Sequence, residues 1–171
     1  MRVVVLGVGV LIAGLIVVFA VSERGRGSPP VPEYAPDFTG ETLDGGSFNM
    51  AVQRGRWVVV NFFSTWCVEC VVEHPELVAF YDRYQHDPDV ELVSVVFRDD
   101  IETIAGFFAA QGGDWPVVVT NTGRVAIDFG VTAVPETYLV SPQGQVVAKF
   151  TGGVTSTQLE AELLRFGGVG A

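Results

Sequence analysis

Residues 56–70 read Arg56-Trp57-Val58-Val59-Val60-Asn61-Phe62-Phe63-Ser64-Thr65-Trp66-Cys67-Val68-Glu69-Cys70, and two patterns meet in them. Trp57 to Phe63 is an almost unbroken β-branched and aromatic run, the mark of a strand buried on both faces. From Cys67 to about His86, the apolar positions Val71, Leu77, Val78, Phe80, Tyr81 and Tyr84 suit a helix, with Pro75 inside it as a kink. Two cysteines with two residues between them therefore stand at a strand-to-helix junction. Cys67 falls at the helix N-terminus, where unpaired N–H groups and the macrodipole favour a thiolate. Cys70 lies one turn later on nearly the same face, within reach of a mixed disulfide. The pair supplies a nucleophile, Cys67, and a resolver, Cys70.

Outward from this junction the chain alternates. Asp37 to Gly55 carries turn signals at Leu43-Asp44-Gly45-Gly46 and predicts a short hairpin or irregular entry. Val90 to Phe97 predicts a second buried strand, and Ile101 to Gln111 a helix closed by Gly112-Gly113. Trp115 to Thr120 reads as a strand and Arg124 to Phe129 as a short helix stopped at Gly130. Thr137 to Val140 and Gln145 to Phe150 flank the turn Ser141-Pro142-Gln143-Gly144. A last helix is capped by Thr155 or Ser156, has Glu160 or its neighbours in the first turn, and points Leu159, Leu163, Leu164 and Phe166 inward. Trp115-Pro116 and Phe107-Phe108 read as core and turn. The order β-α-β-α-β-α-β-β-α gives an α/β fold, a central sheet with helices on both faces, ending in an antiparallel pair.

The chain has 171 residues, 20 acidic against 10 basic, a formal net charge of −10 and two cysteines. That length suits one well-cored domain. The acidic balance argues against a nucleic-acid binder, which needs clustered Lys and Arg, and two thiols cannot staple a disulfide-dense scaffold or fill a four-thiolate zinc site. Val3 to Val21 is an uninterrupted apolar run, spanning roughly 28 Å as a helix, about the hydrocarbon thickness of a bilayer. Residues 1–21 are therefore expected to form one N-terminal transmembrane anchor. A cleavable signal peptide is the rival, with Ala20-Val21-Ser22 as its small-x-small site. Residues 22–36, rich in Gly, Ser, Pro and charge, read as an extended tether, and residues 37–171 as the domain. All 20 carboxylates lie after residue 21, so the charge belongs to the tethered part.

A structural disulfide between Cys67 and Cys70 would close a very short loop and constrain the unfolded chain little. A copper or zinc site would need the two thiolates plus His74, four residues after Cys70, since His86 is far along the helix and no other His or Cys exists. Redox exchange fits the spacing best, with no cofactor beyond the cysteine pair and no metal.

Trp66-Cys67-x-x-Cys70 after an apolar strand, with Val134-Pro135 before the strand Thr137-Tyr138-Leu139-Val140, resembles the thioredoxin superfamily. More narrowly, Ala35-Pro36-Asp37-Phe38, Asn61 to Trp66, Cys70 to Pro75 and Gly130 to Tyr138 resemble the TlpA/ResA-like membrane-tethered reductases. The Pro135-Glu136-Thr137 run is similar to the DsbE/CcmG cytochrome c maturation type. The resemblance covers about residues 35–165. It implies a thioredoxin-like three-layer fold with a central mixed sheet, and a cis proline at Pro135 facing the disulfide, where the Val134 backbone pairs with an incoming extended peptide.

The resemblance further implies that Glu73 sits beneath the cysteine pair, with a raised pKa, and exchanges a proton with Cys70. It places Glu136 at the rim in a binding or tuning role and Trp66 as an aromatic lid beside Cys67. Glu69 departs from the common pattern, which has proline before the second cysteine. Its charge opposes the Cys67 thiolate and favours an electron-donating dithiol. A peroxiredoxin would carry Thr-x-x-Cys after a proline, and Thr65 does not stand at that spacing.

The expected activity is that of a protein-disulfide reductase, anchored by a single pass in a bacterial cell membrane with its domain on the extracytoplasmic side, where disulfides persist. Its partners would be apocytochrome c, through the Cys-x-x-Cys-His haem site, or another extracytoplasmic disulfide protein, and a membrane thiol donor of the DsbD/CcdA type. The alternatives are a general reductase or oxidase of secreted proteins, and a copper-handling assembly factor of the same fold.

Overall fold

A computed structural model describes residues 31–167; the apolar run at residues 3–21 and the tether up to residue 30 lie outside the described residues. A hairpin of β1 (Thr39–Glu41) and β2 (Ser47–Asn49) leads into a 3-10 turn at Met50–Gln53. Then follow β3 (Trp57–Phe63), α1 (Val68–Tyr84), β4 (Val90–Val96), α2 (Ile101–Gln111), β5 (Val117–Val118), α3 (Thr122–Phe129), β6 (Glu136–Val140), β7 (Val146–Thr151) and α4 (Ser156–Arg165). The five-stranded sheet has the order β5-β4-β3-β6-β7. β3, β4 and β5 run parallel, β6 is antiparallel to β3 and β7 is antiparallel to β6, the mixed sheet the resemblance implied.

β3 is central and buried at every position, which explains its lack of alternation. Its side chains still part by period two. Trp57, Val59 and Phe63 face one layer with Leu77 and Phe80 of α1, Ile104 and Phe108 of α2, and Leu159 and Leu163 of α4. Val58, Val60 and Phe62 face the other with Phe38, Phe48, Val125 and Phe129. Helices thus cover both faces, and the α1 layer carries the cysteines.

Three details differ from the sequence reading. Glu33 to Ala35, read as tether, bond to the β7 turn, with Val146 N–H donating to Glu33 O and Ala35 N–H to Gly144 O. β5 is only two residues long; its carbonyl at Val117 accepts from Leu43, and Val119 N–H donates to Glu41, so the entry hairpin takes over its edge. Leu164 and Phe166 are exposed rather than inward, because α4 ends at Arg165 and its short buried stripe holds only the i,i+4 pair Leu159 and Leu163. Its cap is Thr155 with Gln158, a reciprocal capping box, while Glu160 pairs with Arg83.

Candidate active site

The central strand β3 ends at Phe63, and a turn at Ser64–Trp66 presents Cys67 as the N-cap of α1. Cys67 and Cys70 are joined as a disulfide, with Cα atoms 5.2 Å apart. The Cys70 N–H donates to Cys67 Sγ at 3.2 Å, which is the N-cap geometry that stabilises negative charge on sulfur when the bond is open. Both sulfurs are largely covered, Cys67 7% exposed and Cys70 2%.

Val134–Pro135 is cis, and the Val134 carbonyl oxygen lies 3.4 Å from Cys67 Sγ. Pro135 O accepts from Gly152 N–H at 3.0 Å. Gly152 has φ +84, a left-handed backbone that favours glycine. Trp66 is 59% exposed, its indole N–H donating to Arg98 O at 3.1 Å. Val68 and Val72, in the first turns of α1, are exposed as well.

Glu73 lies three residues beyond Cys70 on the buried face of α1 and is 3% exposed. It accepts from Val154 N–H at 3.0 Å, Asn61 Nδ2 at 3.3 Å and Thr137 Oγ1 at 3.4 Å. All three donors are neutral. Burial pushes its pKa up to about 7; those hydrogen bonds offset only part of the effect, and the charge of Glu69, one turn earlier, adds to the rise.

The strand register builds this environment. Ser94, Asn61 and Thr137 are direct partners across β4, β3 and β6. Their side chains form one polar rung: Trp115 Nε1 donates to Ser94 Oγ, Ser94 to Asn61 Oδ1, and Asn61 to Thr137 and Glu73. The sequence reading missed Asn61, Ser94 and Thr137 as parts of the site. Their signal was a polar residue within a run otherwise buried and apolar.

Glu136 does not reach the rim. As the neighbour of Thr137 on β6 it points to the opposite sheet face, fully buried. There it accepts from Thr132 Oγ1 at 2.9 Å and Tyr138 Oη at 2.8 Å, and pairs with Lys149 Nζ at 3.0 Å. Burial alone would raise its pKa, but Lys149, Tyr138 and Thr132 outweigh it and hold the carboxyl below its ordinary range. His74, the third ligand of a cysteine metal site, is turned away as well. Its Nε2 donates to Gly112 O at 2.8 Å and its ring packs against Phe107, Phe108 and Trp115. Burial lowers its pKa, and among the described residues no three His, Cys, Asp or Glu side chains converge on a point.

The chain is similar to known proteins. The AhpC/TSA family matches residues 31–149. The thiol-disulfide oxidoreductase ResA of Bacillus subtilis is 30% identical over 125 residues, covering 73% of this chain and 69% of that protein. The thiol:disulfide interchange protein HelX of Rhodobacter capsulatus is 30% identical over 105 residues, covering 61% of this chain and 57% of HelX. A thioredoxin family thiol:disulfide interchange protein from Chlorobium tepidum, solved by crystallography, superposes with a TM-score of 0.71 at 24% identity over 78% of this chain and 95% of its own; this likeness speaks for the fold. With a bonded Cys67–Cys70 pair at the head of α1 and these relatives, the chain belongs to the AhpC/TSA family, as a thiol-disulfide oxidoreductase of the ResA and HelX kind.

Proposed function

We propose that the protein is a reductase of extracytoplasmic disulfides, acting on the Cys-x-x-Cys-His site of apocytochrome c. The observation that carries this reading is the buried Glu73, one turn beneath Cys70 and titrating near 7. In the dithiol form, the Cys67 thiolate attacks one sulfur of the substrate disulfide, and the other substrate sulfur leaves as a thiolate. Cys70 then attacks Cys67 Sγ, releasing the second substrate thiolate and closing the Cys67–Cys70 disulfide. For that step Cys70 must lose its proton, and the Glu73 carboxylate takes it. A carboxyl near 7 matches a thiol better than an ordinary glutamate does, and resolution speeds up as pH rises through Glu73's titration.

Val134 and Pro135 line the approach to Cys67 Sγ, and the Val134 backbone pairs with an extended substrate segment while Trp66 covers it. The similarity of Pro135-Glu136-Thr137 to the DsbE/CcmG type supports cytochrome c as the substrate, and Glu136 supports the site from behind. The apolar run at residues 3–21 supports a single-pass anchor with the domain outside a bacterial cell membrane. A membrane thiol donor of the DsbD/CcdA type returns the pair to the dithiol. Cys70→Ala should trap the mixed disulfide, and mass spectrometry of the trapped species should identify an apocytochrome c. A trap that repeatedly yields other secreted proteins and no cytochrome would overturn the substrate assignment while leaving the reductase chemistry intact.

A further inference from the structure

We infer that Asp99 is the positioning residue of the redox turn, holding Ser64–Trp66 in place when the Cys67–Cys70 disulfide is open. Three successive residues before Cys67 are tied to three successive residues of the β4–α2 loop. The Ser64 hydroxyl donates to the Phe97 carbonyl, and the Trp66 indole N–H donates to the Arg98 carbonyl. Between them, Thr65 donates both its N–H and its hydroxyl to Asp99 Oδ2, at 2.6 and 2.7 Å.

The other carboxylate oxygen of Asp99 accepts the Asp100 N–H at 2.8 Å. Asp100 in turn caps α2 through the N–H groups of Glu102 and Thr103. The brace thus runs from the cysteine turn to the start of a packed helix. Arg98 at its centre takes a left-handed backbone, φ +51, a conformation that a non-glycine residue keeps only where its surroundings hold it. Two of the three acceptors are main-chain carbonyls that no substitution removes. Asp99 is the side chain through which the sequence controls the brace.

Its effect depends on redox state. In the disulfide form, Cys67 is covalently fixed to Cys70 and through it to α1. In the dithiol form that cross-link is gone, and the turn rests on its own Cys67 N–H to Ser64 O bond, on the Val71 N–H that donates to Cys67 O from α1, and on the brace. Loss of Asp99 therefore penalises the dithiol more than the disulfide, whichever protein is the substrate.

The test is the equilibrium in which the protein dithiol and oxidised glutathione give the protein disulfide and two reduced glutathiones. Loss of one charge-assisted hydrogen-bond pair from the dithiol form corresponds to about tenfold in an equilibrium constant. Asp99→Ala should shift the constant about tenfold toward the protein disulfide, or about −30 mV. Asp99→Asn, which keeps an acceptor for Thr65, should stay within about threefold of the unsubstituted protein, and Thr65→Val should move about threefold in the same direction as Asp99→Ala. A merely structural role would lower the stability of both redox forms equally and leave the constant unmoved. An unchanged constant in Asp99→Ala overturns the inference, as does a shift toward the dithiol; if that variant does not fold, an unchanged constant in Thr65→Val does so. Failure of the unsubstituted chain to exchange with glutathione would instead overturn its thiol-disulfide chemistry, a result distinguishable from exchange with an unaltered constant.

Discussion

Glu73 and Glu136 are both buried carboxylates within one strand pair of each other, and their surroundings shift their pKa values in opposite directions. Glu73 on the α1 side meets three neutral donors and no cation, so burial prevails and its proton stays to about pH 7. Glu136 on the far face meets Lys149 as well as Tyr138 and Thr132, and stays ionised. Burial is common to both; the charge of the neighbours decides the outcome. The sheet separates a carboxyl fit to move a proton from one that fixes the loop leading to Pro135 through Thr132.

The largest effect expected from breaking this contrast is at Lys149. Lys149→Met leaves a fully buried, uncompensated Glu136 charge and should lower the unfolding free energy by about 4 kcal/mol, read by urea denaturation at pH 7. Glu136→Gln combined with Lys149→Met should recover most of it, since no buried charge is then orphaned.

At Glu73 the sign reverses. The folded chain keeps this proton to about pH 7, while the unfolded chain releases it near the ordinary value of 4.5. Between those values the folded state binds more protons, so the group's stabilising contribution is complete below pH 4.5 and is lost as pH rises to 7. The loss amounts to about 3 kcal/mol. Glu73→Gln should flatten that slope and leave the oxidised protein more stable than the parent at pH 8, while slowing resolution by Cys70. A slope that survives the substitution would assign it to another group.

A smaller change is expected at Tyr138, whose hydroxyl donates to Glu136 and whose ring carries Lys149 5.1 Å from its centroid. Tyr138→Phe keeps the ring and should cost about 1 kcal/mol in thermal or urea unfolding. No measurable cost would mean that Lys149 and Thr132 suffice to satisfy the carboxylate.

The order of elements was legible in the sequence because β3 and β4 are short apolar runs between polar turns, and α1 and α4 carry helical spacing. The cysteine pair was legible because one local segment holds it, whereas Glu73 was singled out only through the family resemblance. What lay beyond reach depended on register between distant segments. Nothing near Asn61 shows that Ser94 and Thr137 will stand on either side of it, nor that Asp99 will meet Thr65 across 34 residues of sequence. Glu136 was misplaced at the rim because adjacency to Pro135 in sequence says nothing of the side on which the next strand residue emerges. The strand alternation that brought Thr137 to Glu73 sent Glu136 to the far layer.

Carbon-13 titration of the glutamate side-chain carboxyls in the disulfide form tests the pairing most directly. Glu73 should titrate near pH 7 and Glu136 below the ordinary glutamate range, in the same sample. A Glu73 midpoint at or below 4.5 would contradict its role as the proton acceptor beneath Cys70.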